Sequence, residues 1–314
     1  MIRIAVLFPG QGSQYTGMGK ALYESDPEVR ALFEEASDAI GMDMRALCFQ
    51  GPDDKLKLTE FAQPAVSLVD AACLSVLKRG GVVPGAVAGH SLGEYPALYA
   101  AGALTFGTMM QLVRKRALYM QEAADLNPGG MAAVMGIDAE RVTGICEEAQ
   151  AAGYVVPANY NTPLQTIITG EVQGVEKALE LFKKAGVRLL IPLKVSGAWH
   201  SKLMAAAGER MRVALADAEI RTPAIPIVAN VTAGYVSAPR DIREVLVRQV
   251  SAPVLWDASV RRLAMDGCNR FIEAGPGKVL KGLMRDIDKN VTAYNVEDPD
   301  SLAKCLSALR APSA

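Results

Sequence analysis

The 314-residue chain sets 33 lysines and arginines against 34 aspartates and glutamates, and half of its residues are hydrophobic. So even a balance builds no basic field, which excludes nucleic acid and a membrane surface as charge-recognised partners and leaves small molecules and proteins. The five cysteines, Cys48, Cys73, Cys146, Cys268 and Cys305, are odd in number and lack C-x-x-C spacing, which points to a reducing, cytoplasmic setting rather than a disulfide framework.

Ile2 to Phe8 is a short, β-branched apolar run stopped by Pro9-Gly10, and it reads as a buried strand entering the glycine-rich loop PGQGSQYTGMG. The run is far shorter than a signal-peptide core, and no later segment approaches the ~18 uninterrupted apolar residues of a membrane span. Helices are expected from about Lys20 to Ala39 and over Pro64 to Lys78. A turn then leads into a strand from Val83 to Ala88 that ends at Gly89. From Met131 the pattern changes to strand (MAAVMGI), helix (AERVTGICEEAQAAG), two strands (YVVPANY, QTIITGE), helix (VEKALELFKKAG) and strand (VRLLIPL). That βαββαβ order is the ferredoxin-like split unit, and its length suits a small domain inserted into a larger α/β core. The chain returns through a helix (Leu203 to Ala218), a strand (Ile225 to Asn230), a helix (Ile242 to Val250), a strand near Arg270 to Glu273 and the turn AGPGKVL, and the last residues, APSA, read as a loose tail.

The glycine loops are not phosphate loops. After Gly10 and Gly12 a dinucleotide fingerprint needs glycine where Tyr15 stands, and both Gly-Lys pairs, Gly19-Lys20 and Gly277-Lys278, lack the other residues of a Walker loop. The stretch VAGHSLGEY instead places Ser91 in a G-x-S-x-G pattern between an expected strand and helix, the setting of a nucleophile elbow; a small-residue turn is the plain alternative. A serine hydroxyl needs a base. The chain has two histidines: His90 adjoins Ser91, where side chains on a tight turn diverge, which leaves His200 in VSGAWHS. No Asp or Glu stands out as a third member, and a backbone carbonyl can also orient an imidazole, so an acid-free pair remains open. Arg114-Lys115-Arg116, taken alone, is a basic run on a solvated helix face.

The segments FPGQGSQ (8–14), GHSLGEY (89–95), Arg116 ahead of Met120-Gln121, VSGAWHS (195–201) and EAGPGKVLKGL (273–283) occur in the order seen in malonyl-CoA:acyl carrier protein transacylases, and the chain resembles that family from end to end. The resemblance implies an α/β hydrolase-like large domain (1–127 and 197–314) with the ferredoxin-like insertion at 128–196. It implies that Ser91 accepts malonyl from coenzyme A by a ping-pong route, with His200 as base and the Gln249 carbonyl orienting the imidazole. The N–H groups of Gln11 and Leu92 would form the oxyanion hole, and the planar Arg116 guanidinium would hold the malonyl carboxylate. An acetyl group would lose a charge-assisted contact of about 1.5 to 3 kcal/mol, a selectivity on the order of tenfold to a hundredfold.

Asn159, Asn161 and Gln165 lie where the family lines its cleft, although a polar turn between strands explains them equally well. Glu94 supports the elbow or caps a helix; Met109, Met110, Met120 and Trp256 read as core. Two residues depart from the family pattern: Trp199 stands for the usual Phe, which is neutral or favours unbranched malonyl, and Ala117 for a common Gly. The implied partners are acyl carrier protein and a coenzyme A thioester, with neither nucleic acid nor membrane, no metal and no bound cofactor, in a monomer. Competing readings are an acyltransferase serving a polyketide synthase with the same chemistry, a serine hydrolase of acyl thioesters, and a non-catalytic carrier-binding module.

Overall fold

The computed structural model describes residues 3–195 and 197–310. In chain order the elements are β1 (Ile4–Phe8), α1 (Lys20–Ser25), α2 (Pro27–Ile40), α3 (Met44–Gln50), α4 (Asp53–Lys57), α5 (Thr59–Arg79), β2 (Ala86–Gly89), α6 (Glu94–Ala100), α7 (Phe106–Leu126), β3 (Gly130–Met135), α8 (Ala139–Ala149), β4 (Val155–Thr162), β5 (Gln165–Gly170), α9 (Val172–Lys184) and β6 (Leu189–Pro192). They continue with α10 (Ala205–Ala216), β7 (Ile227–Ala229), β8 (Gly234–Val236), α11 (Pro239–Gln249), α12 (Trp256–Met265), β9 (Arg270–Ala274), α13 (Val279–Ile287), β10 (Thr292–Val296) and α14 (Pro299–Arg310). Short 3₁₀ turns occupy Ser91–Gly93 and Lys202–Met204.

The apolar run at the amino end becomes β1, near the middle of a six-stranded sheet ordered β10-β9-β1-β2-β7-β8. All neighbours run parallel except the β7/β8 pair. Parallel strands are covered on both faces, which is why β1 and β2 read as continuous apolar runs rather than alternating ones. Register brings the carboxyl ends level: Phe8 pairs with Gly89, Leu7 with Glu273 and Ala88 with Val228. The loops leaving β1, β2, β7 and β9 therefore converge on one edge, where open α/β sheets place their ligand sites.

A second, four-stranded sheet is antiparallel throughout, ordered β4-β5-β3-β6. Its apolar face closes over α8 and α9 through Val134, Ile168, Val142 and Phe182, a core separate from that of the large sheet. The chain leaves and re-enters at adjacent points, since Pro128 and Gly197 form an antiparallel bridge. A stitch joins the two units: Tyr160 N–H donates to Val254 O at 2.9 Å and Val254 N–H to Ala158 O at 2.8 Å.

Several expected boundaries move for local reasons. The single helix expected over 20–39 is two, because Asp26 is extended, accepts from the N–H groups of Glu28 and Val29 as an N-cap, and precedes Pro27 at the first helical position. Helix α5 begins at Thr59 and carries Pro64 inside its first two turns. By length and composition α5 could cross a membrane, but 83% of its most apolar stretch is buried inside the protein as a core helix. The strand expected from Val83 forms only over Ala86–Gly89. Ile2, Ser196 and the APSA tail lie outside the described residues.

Candidate active site

Ser91 stands on the turn between β2 and α6 with φ of 53°, a left-handed conformation that costs a serine on the order of 1 kcal/mol. The flanking glycines make the turn possible. A Cβ on Gly89 would lie 1.8 Å from Gly93 O, and one on Gly93 would lie 2.1 Å from Phe8 O, so the elbow is closed on itself and pressed against the end of β1. Gly10, on the β1 loop, likewise leaves 2.5 Å between its absent Cβ and His90 O. Asn230, just past β7, fixes the elbow from the other side: its Oδ1 accepts from Ser91 N–H at 2.6 Å and its Nδ2 donates to Gly89 O at 2.6 Å.

The Ser91 hydroxyl meets His200 Nε2 at 2.7 Å. On the other side of the ring His200 Nδ1 lies 2.8 Å from Gln249 O. A carbonyl only accepts, so Nδ1 carries the proton and the Nε2 lone pair faces the serine. Burial first, then the Arg116 charge, pushes the His200 pKa down to about 3, which keeps the imidazole neutral. His200 also has positive φ, 60°, so both partners sit on strained backbone. His90 points away and bonds Asn161 Oδ1 at 2.9 Å.

Within the basic run on α7, successive residues turn to different faces. Lys115 is exposed, Arg114 bonds Glu60 O at 2.8 Å, and Arg116 is 1% exposed. The solvated-face reading therefore fails for Arg116. Its Nη1 donates to Gln63 Oε1 at 2.8 Å, and its Nη2 donates to Gln249 Oε1 at 2.9 Å and to Ser91 Oγ at 3.2 Å, while Nε is buried without a partner among the described residues. Gln63 in turn donates to Gln11 Oε1 at 3.3 Å, tying the β1 loop to the guanidinium.

These groups border a cleft of about 370 Å³ between the two sheets, reached from the small unit by Asn159, Asn161 and Gln165 and from the β1 loop by Gln11. Leu92 is fully buried with its side chain in the core, beside Ser91 on the 3₁₀ turn. Met109, Met110 and Trp256 are core; Met120, expected there too, also borders the cleft, where its Sγ accepts from Gln63 Nε2 at 3.6 Å. Trp199 lines the cleft and packs its ring over Gly197, whose absent Cβ would be 2.5 Å from the indole. In the last motif, Glu273 accepts from Leu280 N–H and Lys281 N–H at 3.0 and 2.8 Å and caps α13, while Gly275 passes against Asp70.

Two participants were not visible in the sequence. Gln63 lies just ahead of the periodic segment, where only its place among apolar neighbours on α5 signals a buried amide. Asn230 reads as the last residue of the expected strand Ile225 to Asn230, whereas β7 ends at Ala229 and leaves Asn230 in the loop beyond it. Among the described residues no cluster of His, Cys, Asp or Glu could hold a metal ion.

A serine on a strained turn, a neutral imidazole of fixed tautomer and a guanidinium sharing the serine oxygen make up the equipment for acyl transfer to and from a serine ester. Residues 6–299 match the family described as acyl transferase domain. The chain is 42% identical over 311 residues to a malonyl CoA-acyl carrier protein transacylase from Bacillus subtilis, covering 99% of this chain and 98% of that protein. Among solved structures, an acyl-carrier-protein S-malonyltransferase from Burkholderia pseudomallei superposes with a TM-score of 0.94 at 44% identity, covering 98% of this chain and 100% of the other. A malonyl-transacylase solved in complex with its type II PKS acyl-carrier protein gives 0.94 at 38% identity, with 98% and 99% covered. This chain belongs to the malonyl CoA-acyl carrier protein transacylase family.

Proposed function

We infer that the protein moves the malonyl group from malonyl-CoA to the phosphopantetheine thiol of acyl carrier protein by way of a Ser91 ester. The observation that carries this reading is the chain from Gln249 O through His200 to Ser91 Oγ, with Arg116 on the same oxygen. In the first half-reaction Ser91 Oγ bonds the malonyl thioester carbon as its proton passes to His200 Nε2; the C–S bond breaks and the proton leaves on the coenzyme A thiol. In the second, His200 takes the carrier thiol's proton, sulfur bonds the same carbon, the ester C–O bond breaks, and Ser91 regains a proton. The oxyanion is assigned to the N–H groups of Gln11 and Leu92, and the malonyl carboxylate to Arg116. Asn159, Asn161 and Gln165 form the far wall of the cleft. No metal or bound cofactor enters these steps.

The architecture is assigned as an α/β hydrolase-like domain, 1–127 and 197–314, carrying a ferredoxin-like insertion at 128–196; the βαββαβ order and the Pro128–Gly197 bridge support those bounds. A monomer in the cytoplasm is part of the same reading, and five free, buried cysteines suit a reducing compartment. Polyketide service is a second reading, favoured by the neighbour solved with a type II PKS carrier. The test is carrier malonylation, followed by the mass of fatty-acid and polyketide holo-carriers incubated with malonyl-CoA and catalytic protein. Transfer to either supports the reading and assigns the pathway; transfer to neither refutes it.

A further inference from the structure

Arg116 is a buried cation whose direct partners, Gln63 Oε1, Gln249 Oε1 and Ser91 Oγ, are all neutral oxygens. Its counter-charge stands one amide away. Glu94, the first residue of α6, is 2% exposed and makes no ion pair among the described residues. Its Oε2 accepts from Gln249 Nε2 and its Oε1 from Asn230 N–H at 3.3 Å. Gln249 Nε2 donates also to Ser91 O at 2.7 Å, so its amide is held in one orientation, oxygen toward the cation and nitrogen toward the carboxylate. A carboxylate directly on the guanidinium would occupy the fork that the substrate needs. Behind Gln249, Glu94 offsets the charge without itself bonding the guanidinium, whose direct partners are neutral and whose Nε is unpaired among the described residues.

An arriving malonyl group then puts two carboxylates around one buried cation, and the group of three would carry a net negative charge. We propose that Glu94 is a positioning residue that serves as the counter-ion of Arg116 in the empty site and takes a proton from solvent when the malonyl carboxylate replaces it. Where Glu94 is ionised in the empty site, the site stays neutral in both states. This rests on the reading that Arg116 receives the malonyl carboxylate.

Few other ionisable groups face Glu94. Arg116 comes from α7, Tyr95 neighbours it on α6, and His200 meets Arg116 from the far side. Asp70 on α5 is turned to Glu273 and Gly275 instead, and β1, β2 and β7 contain no titratable residue. Burial already raises the Glu94 pKa to about 7, against the Gln249, Asn230 and Arg116 contacts that lower it, so a second anion nearby has a group ready to accept a proton.

The experiment measures proton uptake on acylation in weakly buffered solution, with acetyl-CoA as the control that cancels thiol and ester chemistry, while intact mass counts the acyl-enzyme formed. The expected difference, malonyl minus acetyl, is about half a proton per acyl-enzyme at pH 7, rising toward about one at pH 8. The ratio of malonyl-enzyme to acetyl-enzyme at equilibrium falls by up to about tenfold per pH unit above that range. In Glu94→Gln the difference is zero and the ratio is flat with pH. Equal uptake for both acyl groups in the wild type, or uptake that persists in Glu94→Gln, overturns the proposal. Malonyl-enzyme without extra uptake defeats this inference alone, whereas absence of any malonyl-enzyme defeats the functional reading with it.

Discussion

Ser91 and Arg116 make separable demands. On the proposed reading, Ser91→Ala removes the acyl acceptor, and no acyl-enzyme forms from any thioester. Arg116→Ala costs malonyl acylation on the order of tenfold to a hundredfold more than acetyl acylation, read as the ratio of single-turnover rates; equal losses on both contradict the carboxylate role. His200 gives a prediction in pH. Its pKa is about 3 folded against 6.5 unfolded, so the unfolded chain binds a proton that the folded one refuses as pH falls below 6.5. Each unit of acidification between those values then costs about 1.4 kcal/mol of stability from this group. His200→Gln flattens the fall of the urea midpoint across that window; an unchanged slope contradicts a buried neutral imidazole.

At the scale of elements, the glycines divide by what surrounds them. Gly93→Ala drives a Cβ into backbone oxygen at Phe8 and forces β1 and the elbow apart, a loss of several kcal/mol or outright failure to fold on the order of the worst core changes. Gly144, on α8, has nothing within 4 Å of its absent Cβ, and Gly144→Ala raises stability by about 0.5–1 kcal/mol. Thermal melts of the two variants check both signs. The elbow was legible because strand, G-x-S-x-G and helix are local, and the small unit because its alternation between periods two and 3.6 is regular. The break at Asp26-Pro27 was missed because helical periodicity runs across it, and α5 was begun late because Pro64 reads as a start rather than as a residue inside a helix.

For the whole molecule, the converging carboxyl ends of β1, β2, β7 and β9 bring together loops more than 260 residues apart in sequence, the β1 loop at Gln11 and the β9 loop beyond Ala274. The grouping of Ser91, His200 and Arg116 at one cleft was legible from motif order and resemblance. Gln63, Asn230 and the tie from Glu94 through Gln249 were not, because each is a polar residue whose meaning comes from a partner on another element. Burial of Arg116 was likewise invisible, since three consecutive basic residues look alike until the helix turns one of them inward. The most direct test of the central claim isolates the malonyl-enzyme by rapid desalting and divides it between buffer and holo-carrier, with intact mass read in each. Persistence of the Ser91 adduct in buffer, with prompt loss to a malonylated carrier, is the outcome expected of this site. Loss at the same rate in both, with free malonate as product, would contradict it and make the protein a hydrolase.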